Sequence, residues 1–167
     1  SEQMGSVALL PQTAATVRVP VSAAGGIADA AGVRAAMALG AAGVQGGTAY
    51  LCADEATTTA LHRAALQSEA ARHTTLTNVF SGRPARGIVN RVMREMGGSG
   101  KTHFATGLSR AAPAFPLATN AMAPLRAAAE KAGRTDFSPL WSGQNATACL
   151  SAPAADITRA LAAGFKD

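Results

Sequence analysis

Two apolar runs, each ending in glycine and each followed by helical spacing, constrain this chain most. Val17 to Ala23 is a β-branched run that stops at Ala24-Gly25-Gly26. It predicts a buried strand and a glycine loop. Asp29 then suits a helix cap, and Val33, Ala36 and Met37 fall at helical spacing up to a stop at Gly40. Ala42 to Gln45 predicts a second strand, with Gly46-Gly47-Thr48 at its end, and Asp54 or Glu55 opens a further helix to about Arg72. Strand, loop, helix repeated in this way predicts an α/β fold with parallel strands and right-handed crossovers.

From His73 the texture changes. Thr74 to Ser81 is β-prone, Gly82 to Gly87 is turn-like, and Ile88 to Met96 suits a helix. Residues 97–116 are first Gly/Ser-rich and then Pro-rich, which predicts a long loop. Pro124 to Gly133 reads as a helix with proline at its first position, and Ser138 to Gln144 as irregular chain. Pro153 to Phe165 reads as a last helix with Ile157, Leu161 and Phe165 on one face.

Composition narrows the classes of function. The chain has 167 residues, enough for one domain or a piece of a larger one, and its hydrophobic fraction of 48% suffices for a core. Roughly a quarter of the residues are alanine, which favours helices packed at close range. No apolar run of membrane-spanning length is free of charges or turns, and no charged-apolar leader opens the sequence. The net charge is +5, but the Lys and Arg residues are scattered, and seven aromatics are few for stacking bases. A nucleic-acid partner is therefore not expected. Cys52 and Cys149 have no CxxC spacing. They read as small buried hydrophobes in a chain suited to the cytoplasm, and no metal site is expected.

The chemistry is expected at the two glycine loops. In parallel α/β proteins ligands sit at the carboxyl ends of strands. Gly25 and Gly26 lack side chains, so their amides can approach a phosphate, and the following helix points its positive end there. Gly46, Gly47 and Thr48 repeat the arrangement one strand later, with a hydroxyl added. Either pair could also serve a turn alone; two neighbouring loops favour a phosphate cradle.

These segments carry a family likeness. Pro20 to Asp29 and Ala38 to Thr48 closely resemble the nitronate monooxygenases, also called 2-nitropropane dioxygenases. Thr77 to Ile88, with its Gly82-Arg83-Pro84-Ala85-Arg86-Gly87, and Trp141-Ser142-Gly143-Gln144 look like two further signatures. The resemblance implies the C-terminal part of an FMN-binding (β/α)8 TIM barrel, with a small inserted, mainly helical domain over the flavin. Residues 1–72 would be barrel, with 17–23 and 42–47 as its seventh and eighth strands. Residues 73–139 would be the substrate-side lid domain, and 140–167 the return to the last barrel helix. The family's phosphate site maps onto Gly25, Gly26, Gln45, Gly46, Gly47 and Thr48, and Gln144 would approach the flavin. The implied activity is oxidation of alkyl nitronates by O2 to a carbonyl compound and nitrite. The related flavin-dependent enoyl-reductases share the first two motifs, but Gly82 to Gly87 favours nitronate monooxygenase; an enoyl-thioester or quinone reductase on the same scaffold stands as the alternative enzyme. A non-catalytic phosphate-binding fragment is the alternative outside enzymes.

The sequence also departs from the family. Its catalytic base, a His in a Gly-Gly-His segment, is expected upstream of Ser1. Of the histidines present, His62 falls within a helix, His73 at a helix end and His103 in a Gly/Ser loop, and each reads as a surface or packing residue. Gly97 to Thr102 mimics a phosphate loop, but GxxxxGK[ST] would need glycine at Glu95. Arg83 and Arg86 read first as pins of the small domain and second as an anion clamp. Trp141 either shields the flavin or fills an interface. Two strands alone would leave open edges. The amino-terminal half of the barrel is therefore the expected partner, with assembly of two or more copies as the other way to cover them.

Overall fold

An isolated parallel strand pair survives only if the crossover between its strands packs on it, and that is how the first part of the chain is built. The computed structural model describes residues 4–97 and 108–165. In order, its elements are α1 (Ser6–Thr16), β1 (Ser22–Ala24), α2 (Ala30–Ala38), β2 (Gly43–Gln45), α3 (Ala60–Leu66), β3 (Thr74–Thr77), β4 (Ala85–Ile88), α4 (Arg91–Met96), α5 (Leu117–Lys131) and α6 (Ala154–Ala162). Short 3₁₀ turns lie at Thr48–Tyr50, Glu69–Arg72, Ala146–Ala148 and Ala163–Phe165. The expected phosphate-loop mimic and His103 lie at or beyond the edge of the described residues.

The chain divides into two compact units, residues 1–57 with 144–167, and residues 58–143. Thus α3 and the 3₁₀ turn after it, grouped with the barrel part from the sequence, pack with the second unit.

In the first unit β1 pairs in parallel with β2, Ser22 opposite Gly43, Ala23 opposite Val44 and Ala24 opposite Gln45. The crossover α2 has both ends fixed. Asp29 Oδ1 accepts the Gly32 N–H at 2.7 Å, which caps the amino end as the sequence predicts. At the other end Gly40 N–H meets the Met37 carbonyl and Ala41 N–H the Ala36 carbonyl, the paired bonds of a Schellman ending. The buried face of α2 has two sides. Ala36 packs with Leu10, Ala23 and Ala41. Val33 packs with Ala49, Ala53, Ile157 and Leu161, so α6 closes over the helix. The 3₁₀ turn after α6 lies against α2 at Gly164, where an added Cβ would sit 2.6 Å from Val33 Cβ and would also strike the Ala30 carbonyl.

Several sequence expectations are corrected here. The first strand is only Ser22–Ala24; ahead of it Val21 adds one bond, its carbonyl accepting the Ala42 N–H at 2.8 Å, and among the described residues no ladder extends through residues 17–20. The helix expected from Asp54 to Arg72 is α3, capped by the Thr59 hydroxyl, and then a separate 3₁₀ turn. Phe165 is exposed, because the helical register of α6 gives way to the 3₁₀ turn after Ala162. The sequence reading did not include α1. Pro11 stands inside it, and Thr13 and Thr16 turn their hydroxyls back onto the Leu9 and Gln12 carbonyls. Burial of Leu10 against Ala23 secures the helix despite that weak local preference.

In the second unit β3 and β4 form an antiparallel pair, Thr74 opposite Ile88 and Thr77 opposite Ala85. Residues 85–87 were expected to be turn, yet they pair, because the reversal is completed at Ser81–Pro84. Gly87 is needed for a different reason: the Leu140 carbonyl would lie 2.9 Å from its Cβ. Asn90 caps α4 through its Oδ1, while its Nδ2 donates to the Thr135 and Ser138 carbonyls. Asn78 exchanges two hydrogen bonds with the Ser109 backbone. α5 begins at Leu117, one turn and more before the expected Pro124, which stands inside the helix. Val79, Phe80, Val92, Met93 and Met122 form the core, and Phe80 meets the edge of Trp141 at a centroid distance of 5.6 Å.

Gly164→Ala is expected to destabilise the protein by about 2 kcal/mol, since neither α2 backbone nor the stiff Val33 side chain can yield freely. Urea unfolding checks this; an unchanged midpoint would remove Gly164 as the contact that seats the last turn on α2.

Candidate functional site

Because β1 and β2 run the same way in register, Ala24 and Gln45 end the ladder side by side. The glycines that follow, Gly25 and Gly46, therefore leave adjacent strands at one end of the sheet. Gly25 and Gly26 both have positive φ, +100° and +76°, a pair of left-handed residues that glycine adopts without steric cost. The two loops lie close together: a Cβ on Gly46 would sit 3.6 Å from the Ile27 carbonyl.

The sides of the loops are open where an anion would need them open. A Cβ on Gly26 or on Gly47 would meet nothing within 4 Å, and one on Gly25 would find only Ser6 Oγ at 4.0 Å. Gly25, Gly26, Gln45 and Gly47 are exposed, and Gly46 and Thr48 are half-buried. Six of the seven residues singled out from the sequence thus sit on two neighbouring turns. The seventh, Gln144, is exposed and directly precedes Asn145, whose Nδ2 donates to the Gly26 carbonyl at 3.2 Å.

Two details differ from the sequence picture. The amino end of α2 was expected to lend its positive field to the site, but the Asp29 carboxylate already takes the Gly32 N–H and supplies a negative charge there. The second loop is not followed by a helix; it runs into the 3₁₀ turn Thr48–Tyr50, and the next helix begins only at Ala60. An anion placed at these turns would therefore meet loop amides rather than a pair of helix ends.

Sequence reasoning passed over Asn145 and gave Cys149 a packing role only. Cys149 Sγ donates to the Thr48 carbonyl at 2.9 Å. Burial, together with the neighbouring Cys52, pushes the Cys149 thiol up to about 11, so it stays protonated and can donate. The signal for Asn145 was its place directly after the Trp141–Gln144 signature, as a side chain with two amide donors.

Elsewhere, the charged candidates are engaged within the second unit. Arg86 donates to the Thr74 carbonyl and hydroxyl, and the Arg83 guanidinium lies 4.4 Å from the Phe115 ring centre. His62 lies in the first turn of α3, and its Nε2 is 3.0 Å from the Trp141 carbonyl. A carbonyl only accepts, so the neutral ring carries its proton on Nε2. Burial holds its pKa below the ordinary 6.5, with Arg126 adding to the effect and the Trp141 bond opposing it. Among the described residues no three His, Cys, Asp or Glu side chains gather as a metal site, and no helix is long and apolar enough to cross a membrane.

Comparison with known proteins agrees with the motifs. A family model described as nitronate monooxygenase matches residues 1–164. The nitronate monooxygenase of Pseudomonas aeruginosa is 39% identical over 158 residues, 95% of this chain and 43% of that protein. That of Paraburkholderia phytofirmans is 38% identical over 163 residues, covering 96% of this chain and 42% of its own length. Among solved structures, nitroalkane oxidase from Streptomyces ansochromogenes superposes with a TM-score of 0.81 at 38% identity, over 97% of this chain and 44% of that one. FabK from Thermotoga maritima gives 0.71 at 26% identity, over 98% of this chain and 50% of that one. The chain thus spans less than half the length of the curated relatives it matches.

His62 provides a pH prediction. Its folded-state pKa lies below the unfolded value, so the neutral ring is the form the fold favours. Its contribution to stability is complete above about pH 6.5 and declines as pH falls below that value. Urea midpoints at about pH 5 and about pH 8 are expected to differ less in His62→Gln than in the parent; an equal difference in both would show that His62 is not the group responsible.

Proposed function

This chain belongs to the nitronate monooxygenase family, and from that premise we propose that it is the carboxyl-terminal part of an FMN-dependent (β/α)8 barrel oxidising alkyl nitronates with O2. β1 and β2 are the seventh and eighth strands. The barrel part is the unit of residues 1–57 with 144–167, and the smaller substrate-side domain lies within residues 58–143. The products are a carbonyl compound and nitrite.

One observation carries the proposal: two neighbouring glycine turns at one end of a parallel strand pair, with the Cβ positions of Gly26 and Gly47 open. A phosphate needs several amide donors converging without side chains between them. The residues fit that need, and they would hold the FMN phosphate through the Gly25-Gly26 and Gln45 to Thr48 segments, with Gln144 turned toward the flavin. FMN, when bound, supplies the redox chemistry of the reaction. The chain's own share is to bind and orient it. The proton-abstracting base is assigned to the part of the family's length that this chain does not span.

The open edges of β1 and β2 and the exposed Val7, Leu9, Val17 and Val19 suit a partner surface. The proposed partner is the amino-terminal half of the barrel, with a second copy of the chain as the other candidate. The likeness to FabK favours one second reading, an enoyl-thioester or quinone reductase on the same scaffold.

The test uses the protein that carries this chain. FMN titration of the apoprotein is expected to show saturable binding, and nitronate-dependent O2 uptake is expected to exceed NADH oxidation. The opposite ratio would move the assignment to the reductase, and absence of flavin binding would end both. Gly47 has φ −105° and ψ −62°, which other residues adopt. Gly47→Val therefore fills the cradle without backbone strain, and it should weaken FMN binding by about ten-fold or more while sparing riboflavin, which lacks the phosphate.

A further inference from the structure

Between Gln144 and α6 the chain makes the 3₁₀ turn Ala146–Ala148, and the proposed function gives this turn no task. Both of its ends do something specific. At the first, Asn145 Nδ2 donates to the Gly26 carbonyl at 3.2 Å. At the second, Cys149 Sγ donates to the Thr48 carbonyl at 2.9 Å. Ala146, between them, is buried. One short turn therefore holds a backbone carbonyl of each glycine loop.

The consequence follows from peptide geometry. In a planar trans peptide the C=O and the next N–H point in opposite directions. A donor on the Gly26 carbonyl thereby fixes the direction of the Ile27 N–H, and a donor on the Thr48 carbonyl fixes that of the Ala49 N–H. Such fixing is needed most at the first loop, where both consecutive glycines hold positive φ. The Thr48 carbonyl also accepts the Leu51 N–H at 3.0 Å, so the thiol adds a second restraint to a turn that is already formed.

We propose that residues 145–149 form a clasp that sets the separation of the two glycine turns and fixes the peptide planes by which the chain leaves them, after Gly26 and after Thr48, with Asn145 and Cys149 as positioning residues for a bound phosphate. The clasp rests on the reading of these turns as the FMN phosphate cradle. Both of its bonds end on the two loops, so its effect is expected at the phosphate end of the ligand.

The apoprotein of the whole polypeptide carrying this chain is titrated with FMN and, separately, with riboflavin. Asn145→Ala and Cys149→Ala are expected to raise the FMN dissociation constant about five- to ten-fold and to leave that of riboflavin unchanged. Cys149→Ser keeps a hydroxyl donor and is expected to stay close to the parent. FMN affinity within two-fold of the parent in both alanine variants, or equal losses for FMN and riboflavin, would overturn the clasp. So would a serine variant as weak as the alanine one. Melting curves identify a variant that does not fold; if Asn145→Ala is one, the Cys149 pair decides. A parent protein that binds FMN no better than riboflavin overturns the phosphate reading and the clasp with it, whereas a discriminating parent matched by its variants overturns the clasp alone.

Discussion

The in-register parallel pairing of Ser22–Ala24 with Gly43–Gln45 is the constraint on which the candidate site depends. Three residue pairs are a short ladder, and parallel pairing is the weaker kind per residue. It holds because α2 bridges the two strands and has its carbonyls and amides satisfied at both ends, by Asp29 and by the Gly40 ending. A slip of one residue would turn Ala23 out of its cluster with Leu10, Ala36 and Ala41 and would offset the two glycine turns. Core packing and site geometry are thus set by the same register.

Alanine suits this arrangement in a particular way. Ala23, Ala36, Ala41, Ala49 and Ala53 are all buried. Their small side chains let helices and strands approach closely, with little rotamer entropy lost on folding. Each, however, buries little apolar area, and several larger side chains, Val7, Leu9, Val17 and Val19, are left exposed. A unit built in this manner gains from a covering surface, which is the physical ground for the proposed barrel partner.

The proposed chemistry also has a consistent economy of charge. Asp29 stands at the amino end of α2, where it would oppose an anion held by the helix field. Recognition would then fall to neutral amides on the glycine turns. Amides act by direction more than by charge, so restraints on their carbonyls, from Asn145 and Cys149, matter more than they would in a lysine-lined site.

How much of this was legible in the sequence varies with the range of the interaction. The Asp29 cap, the Gly40 stop, the second strand and the pair of glycine loops are local, and residues within a few positions of each other declare them. The family likeness, resting on the same loops with Gly82–Gly87 and Trp141–Gln144, was likewise legible, and the family match bears it out. Helix α1 was not, because Pro11 and two threonines argue against it locally and only the distant Ala23 cluster secures it. Nor was the pairing of Ala85–Ile88, whose glycine and proline neighbours read as turn until Thr74–Thr77 supplies a ladder. Sequence alone therefore settled the order of strand, glycine loop, capped helix and second strand between Ser22 and Gln45, since short-range backbone preferences decide that. Tertiary structure alone decided that the turn at 145–149 reaches back across more than a hundred residues to Gly26 and Thr48. Hydrogen bonds between such distant positions leave no periodicity for a sequence to display.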